Sequence, residues 1–393
     1  MNSTVSLASL PMKWEIALET PRGELVFEMQ REMRANSEEQ AYLVNAAETI
    51  AVEHEIVDDK LRFRMPHFAS ELEFTWPTDV SRLAEENELR GAWTKRRGPG
   101  KVARVPAKLR GRSEWQYASP AAFLGRWEVQ FSGSEDPAVG VFQRFKEDEI
   151  QGTFLTTTGD YRYLHGGVVD GALLLTCFDG AHAFRFDAEL TAGDTLAGNF
   201  CSGNWYQETW AAMRNASVRL PDAFSQTNIV GSERLAGLEF PNSAGEMKSL
   251  SKLAGGAKVT LVEIFGTWCP NCHDAASLLK ELRGKYSDRG LQVIGLAFEL
   301  SGDFSKDSRQ VEIYRERFDV DYPILIAGLS DKALASQKFP ILDRIRSYPT
   351  TLFVAQDGSV RAVYTGFSGP ATGEAHRLLK KQFHALIETM LNE

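Results

Sequence analysis

Residues 268–272 read Trp-Cys-Pro-Asn-Cys, between an apolar run and a segment of helical periodicity, and no other stretch restricts the chain so much. Two cysteines with two residues between them can close a small disulfide and reopen it. Val259–Phe265 (VTLVEIF) is β-branched and apolar and reads as a buried strand. Gly266-Thr267 makes the turn. Pro270 suits the first turn of a helix in which Ala275, Leu278, Leu279 and Leu282 recur at helical spacing. Gly284 and Gly290 bracket its expected end, and residues 291–298 (LQVIGLAF) form a second buried strand. A cysteine at a helix N-terminus meets unpaired backbone N–H groups and the positive end of the helix dipole. Both favour its thiolate, which is the attacking species in disulfide exchange. The pattern therefore predicts a dithiol/disulfide redox centre that needs no bound cofactor beyond its own Cys269–Cys272 disulfide, and no metal.

Downstream, Tyr348-Pro349-Thr350 precedes a strand-like run at 351–354. Asp357-Gly358 is a hairpin signal, and a strand follows at 359–364. Residues 374–391 carry Leu378, Leu379, Phe383, Leu386, Ile387 and Met390 at helical spacing. A proline just before a central strand is awkward unless its peptide bond is cis. With these motifs in order, residues 232–393 resemble the TlpA/ResA-like branch of the thioredoxin-fold thiol–disulfide oxidoreductases. The resemblance rests on FGTWCPNC (265–272), YPTTLF (348–353), QDG (356–358) and the lead-in LEFPNSAGEMKSLSKLAG (238–255).

The resemblance implies a role for each matching position. Cys269 is the exposed nucleophile that attacks a substrate disulfide, and Cys272 is the buried thiol that resolves the mixed disulfide. Pro349 is the cis-proline facing the pair. Glu263, six residues before Cys269, stands where thioredoxins keep a buried aspartate, and would take and return the proton of Cys272. Trp268, Pro270, Asn271, Tyr348 and Pro349 make up the expected substrate-facing surface. The partners implied are oxidised or reduced protein thiols and an upstream thiol electron donor. The spacing from Cys272 to Pro349 exceeds that of a minimal thioredoxin, so 308–318 and 328–346 are read as an insertion.

Other chemistries fit the residues less well. CPNCH (269–273) satisfies the pattern of covalent haem attachment, but that site does not require a preceding buried strand or a following YPT. A zinc site needs further ligands, and the chain has no second CxxC. A thiol peroxidase on the same fold, or a binding adaptor in which the N-terminal half recognises a partner, are the remaining alternatives.

Residues 12–215 read as a duplicated, antiparallel all-β domain, a barrel or a sandwich, ahead of the α/β thioredoxin-like domain at 232–393. Short alternating runs at 14–18, 24–29, 161–164, 172–178, 182–190 and 195–201 are separated by turn signals such as Asp170-Gly171. Trp14-Glu15-Ile16 recurs as Trp127-Glu128-Val129, residues 57–74 parallel 169–186, and LRGAW (89–93) parallels LAGNF (196–200). The repeat is roughly 110 residues, with copies at 12–97 and 123–215. Seven of the eight tryptophans fall in this half, where strand spacing makes them core residues. His165 and His182 are expected to be hydrogen-bonded rather than catalytic.

Between the copies, 98–122 is read as a linker, part of a basic, flexible loop (95–112, KRRGPGKVARVPAKLRGR) tethered to acidic neighbours. The net charge of −9 gives no support to nucleic-acid binding. Cys177 and Cys201 flank an intervening strand and are expected to be buried thiols. MNSTVSLASLPMKW has no charged n-region, so no signal peptide is expected. No apolar run reaches about 18 residues, so no integral membrane span is expected either. The resemblance points to the periplasm or cell envelope, with the cytoplasm as the alternative.

Overall fold

The computed structural model describes residues 7, 10–34, 38–77, 88–113, 115–231 and 235–393. The chain forms two compact units: Met1–Arg97 with Lys101–Phe154 and Tyr163–Val218, and Gly98–Gly100 with Leu155–Arg162 and Arg219–Glu393. The expected start of the thioredoxin-like domain, 232–234, lies outside the described residues.

The first unit is all-β. Strands β1 (Lys13–Thr20), β2 (Gly23–Met33), β3 (Glu39–Asn45), β4 (Glu48–Val57), β5 (Lys60–Met65), β6 (Ser70–Thr75), β7 (Glu88–Gly98) and β8 (Lys101–Gly111) form a closed up-and-down barrel. A second meander follows: β9 (Gly125–Phe131), β10 (Ala138–Arg144), β11 (Ile150–Thr156), β12 (Gly159–Asp160), β13 (Leu164–Val169), β14 (Ala172–Phe178), β15 (Ala183–Thr191), β16 (Thr195–Ser202) and β17 (Tyr206–Arg214). Here β17 pairs with β9, and β10 pairs with both β9 and β11, so eight of the nine strands close on themselves; the two-residue β12 falls in the stretch 155–162 that groups with the second unit. Closure leaves no long strand edge exposed.

The sequence repeats fall on equivalent strands of the two rings. Trp14 is on β1 and Trp127 on β9; LRGAW is on β7 and LAGNF on β16. The copies pack on each other. Asn45 donates to the Phe178 carbonyl at 3.0 Å and accepts from the Phe178 N–H at 3.1 Å. The Phe27 and Phe178 rings stack at 4.3 Å.

Both interiors are filled by side chains. Trp14, Phe63, Phe74 and Trp93 are buried in the first ring. In the second, Phe154 stacks on Phe186 and Phe186 on Phe200, each at 4.4 Å. Trp76, Trp127 and Trp210 are also buried, as strand spacing implied, whereas Trp115 is 40 % exposed. His165 contacts Glu149 at 3.1 Å and His182 contacts Asp179 at 3.2 Å. Cys177 and Cys201 are buried, with β15 between them.

Two expectations for this half are corrected. Residues 98–122 are not a linker throughout, because Lys101–Gly111 is β8, which closes the first barrel against β1. Its Val105, Ala107 and Leu109 point inward, while Lys108 and Arg110 each reach Glu24 at 2.9 Å and Arg112 reaches Glu28 at 3.0 Å. Period-two alternation is present there, but the basic residues that make up its outer face obscure it. The run at 161–164 is not a strand; only its last residue, Leu164, enters β13.

The second unit opens with a hairpin of β18 (Glu239–Pro241) and β19 (Met247–Ser249) and the short α1 (Leu250–Ala254). Its core is a five-stranded sheet of β20 (Val259–Phe265), β21 (Leu291–Glu299), β22 (Ile324–Leu329), β23 (Thr350–Ala355) and β24 (Val360–Thr365), in the order β22-β21-β20-β23-β24. The first three strands are parallel, and β23 runs antiparallel to both β20 and β24. α2 (Pro270–Tyr286) joins β20 to β21, α3 (Phe304–Phe318) joins β21 to β22, α4 (Lys332–Gln337) follows β22, and α5 (Glu374–Asn392) ends the chain. This is a thioredoxin fold.

α2 runs through Gly284, and the chain turns at Gly290, where φ is +102°. The insertion read at 308–318 is α3 itself, the crossover to the edge strand β22; only the segment around α4 elaborates on that plan. Among the described residues no helix is long and apolar enough to cross a membrane.

Truncation of Phe186 to alanine removes a ring shared by at least three aromatic neighbours and should cost about 3–5 kcal/mol. Urea unfolding followed by tryptophan fluorescence measures it; a loss below about 1 kcal/mol would contradict a filled barrel.

Candidate active site

The sheet register builds the site. Glu263 of β20 pairs with Thr351 of β23, and Ile264 pairs with Thr350. The chain leaving β20 therefore runs beside the chain entering β23, which brings Trp268-Cys269 next to Tyr348-Pro349. The Tyr348–Pro349 peptide bond is cis.

Cys269 is the N-cap of the 17-residue α2, with extended backbone (φ −102°, ψ 112°), and Pro270 takes the first helical turn. The cap uses sulfur in place of the usual oxygen. Cys272 N–H points at Cys269 Sγ (3.4 Å), and the thiol donates to the Tyr348 carbonyl (3.4 Å). Negative charge on this sulfur is met by a backbone donor and by the helix dipole. Cys269 is 6 % exposed and Cys272 is 0 % exposed, so the expected contrast between an exposed and a buried thiol is small. Trp268 and Tyr348 stand beside Cys269, their rings edge to face at 5.6 Å.

Glu263 is completely buried, and neither of its carboxyl oxygens has a hydrogen-bond partner among the described residues. Burial holds its carboxyl well above the usual range, and the nearby Cys269 adds to the push. Burial likewise raises the Cys272 thiol, reinforced by the Cys269 sulfur and by Glu263.

Of the remaining expected residues, Pro270 and Asn271 are buried, and Asn271 Nδ2 donates to the Phe367 carbonyl (3.4 Å). His273 sits on the first turn of α2 with Nε2 2.6 Å from the Thr267 carbonyl and its ring 4.5 Å from that of Phe318. Those contacts commit the imidazole that a haem-attachment reading would need. Among the described residues no group of three or more His, Cys, Asp or Glu is arranged to hold a metal.

Three contributors were not read from sequence. Thr267 is gripped by Glu299, whose oxygens accept from Thr267 N (3.0 Å) and Oγ1 (2.7 Å). Tyr314 of α3 approaches the Cys272 carbonyl (3.5 Å). Tyr322 is buried close enough for Glu263 to push its phenol further above the ordinary range, beyond the effect of burial. Only the strand-end position of Glu299 offered any signal.

The raised carboxyl makes stability depend on pH. In the unfolded chain Glu263 ionises near the ordinary glutamate value of 4.5, whereas in the folded chain burial keeps its proton on well above that. Its contribution is thus fully present below the unfolded value and is lost as pH rises toward the folded one. Replacement by the neutral isostere, Glu263→Gln, should gain on the wild type by about 1.4 kcal/mol per pH unit upward from about pH 5. Urea unfolding of both proteins across that range tests this, and a difference that stays constant with pH would refute it.

Comparison with known proteins agrees with this geometry. Residues 232–363 match the AhpC/TSA family. The thioredoxin-like protein YneN of Bacillus subtilis is 28% identical over 123 residues, covering 31% of this chain and 64% of that protein. The thiol-disulfide oxidoreductase ResA of Halalkalibacterium halodurans is 27% identical over 124 residues, covering 31% of this chain and 61% of that protein. The chain thus spans somewhat less than two thirds of the length of these relatives. A solved structure of a putative thiol:disulfide interchange protein DsbE from Chlorobium tepidum aligns with 42% of this chain and 99% of that chain at 16% identity and a TM-score of 0.32. The C-terminal region, carrying FGTWCPNC and YPTTLF, is thus similar to ResA-type thiol-disulfide oxidoreductases and has a thioredoxin fold.

Proposed function

We propose that this chain reduces or exchanges protein disulfides through Cys269 and Cys272, in the manner of a TlpA-type oxidoreductase. The observation that carries the reading is the nucleophile's setting: Cys269 Sγ caps α2 with the Cys272 N–H aimed at it, and the Glu263 carboxyl, without a hydrogen-bond partner among the described residues, is buried close by. Cys269 thiolate attacks one sulfur of a substrate disulfide. That S–S bond breaks, a mixed disulfide forms, and the departing substrate thiolate takes a proton from water. The charge on Cys269 disappears in this step, and with it one of the two causes that keep Glu263 protonated. Glu263 then releases its proton to water, and the carboxylate so formed accepts the proton of Cys272. Cys272 attacks Cys269 Sγ and releases the second substrate thiolate, so two electrons pass to the substrate and the pair ends as a disulfide. An upstream thiol donor restores the dithiol by the reverse exchange.

Trp268, Tyr348 and Pro349 form the surface against which the substrate chain lies, with Pro270 and Asn271 fixing the helix start beneath it. The proposed location is the periplasm or cell envelope.

The AhpC/TSA match supports a second reading, a thiol peroxidase on the same cysteine. Insulin reduction driven by dithiothreitol, with Cys269→Ser and Cys272→Ser compared to wild type, separates the two. The disulfide reading expects both variants to lose at least about 100-fold in rate, and Cys272→Ser to accumulate mixed disulfides with extract proteins. Peroxide consumption that survives Cys272→Ser but not Cys269→Ser, without insulin reduction by the wild type, would establish the peroxidase instead.

A further inference from the structure

Glu299 is the last residue of β21 and is 2 % exposed. Both of its carboxyl oxygens are committed to Thr267, one to the backbone N–H and one to the hydroxyl. Thr267 is completely buried and lies two residues before Cys269. Its third polar atom, the carbonyl, faces His273 Nε2 at 2.6 Å on the first turn of α2. The next residue, Trp268, donates from Nε1 to the carbonyl of Phe298 (2.9 Å), the neighbour of Glu299 on the same strand. The loop 266–268 is thus strung between the end of β21 and the start of α2, and the nucleophile hangs from it. An ionisable carboxyl is a costly way to hold one threonine in a buried place, where a neutral amide would also supply an acceptor.

We propose that Glu299 is a positioning residue for the disulfide exchange assigned above: its carboxylate holds Thr267 on two atoms and thereby sets where Cys269 presents its sulfur to Tyr348 and to an incoming disulfide. The ionised carboxylate accepts both Thr267 donors. The acid form brings an O–H that competes with them, which loosens the grip. Burial pushes this carboxyl up to about 7; the two Thr267 donors oppose the push and Asp307 adds to it. The titratable groups facing the latch are Asp307 on α3 and, across Thr267, His273 on α2. The hold therefore changes strength close to neutrality.

The test uses the full chain and rests on the exchange reading only for its interpretation. Reduced wild type, Glu299→Gln, Thr267→Val and Thr267→Ser are reacted with iodoacetamide and with oxidised glutathione between about pH 5.5 and 8.5. Rates are read at Cys269 by mass spectrometry, and thermal unfolding serves as the fold control. The wild-type profile is expected to carry an extra inflection near pH 7. Glu299→Gln removes that inflection and slows Cys269 about threefold or more at pH 8, and Thr267→Val slows it similarly while Thr267→Ser keeps the wild-type profile. A folded Glu299→Gln whose profile superimposes on wild type overturns the proposal. If Glu299→Gln does not fold, equal rates for the Val and Ser variants at equal thermal stability overturn it, and a slower Val variant supports it. A wild type that does not exchange with glutathione at all defeats the functional reading instead, which keeps the two failures distinguishable.

Discussion

A helix begins on a sulfur atom, and the chemistry of the chain depends on that fact. α2 leaves its first N–H groups without intrahelical partners, and proline in its first turn removes one of them. Cys269 accepts from the Cys272 N–H, so the atom that would exchange bonds with a substrate is the same atom that caps the helix. The requirement passes outward from there. The sulfur stays in place only if the loop before it is held, which Glu299, Phe298 and His273 do. It meets the Tyr348 carbonyl only if β23 pairs with β20 in the observed register. A one-residue slip in that ladder would turn Glu263 away from the cysteines.

Two buried carboxyls lie near this loop and are treated differently. Glu263 has no hydrogen-bond partner among the described residues, and burial holds its carboxyl well above the usual range. Glu299 is given two donors, and its titration falls near neutrality, a state suited to holding. Burial raises both; the presence or absence of partners separates their roles.

The β unit solves a different problem. Two meanders of similar sequence each close into a ring, and they meet through Phe27, Asn45 and Phe178. Their aromatic residues fill the interiors.

How much of this was legible follows from the range of each interaction. Strands β20, β21, β23 and β24 and helices α2 and α5 were readable because their apolar residues repeat locally. Trp14 and Trp127 revealed the duplication because both fill the same place in equivalent strands. β8 was hidden because its charged face is longer and louder than its Val105-Ala107-Leu109 face. α3 reads as an insertion in the sequence because spacing does not show that β22 is an edge strand beyond β21. The Glu299–Thr267 latch joins residues 32 positions apart, and nothing local announces it.

The most direct measurement concerns Cys269 itself. Reduced protein is alkylated with iodoacetamide at neutral pH, folded and in denaturant, and the rate at each cysteine is followed by mass spectrometry. A capping sulfur poised for exchange should react faster in the folded chain than in the unfolded one, although it is only 6 % exposed, while Cys272 is protected. A folded-state rate at Cys269 equal to or below that of the unfolded chain would contradict the account.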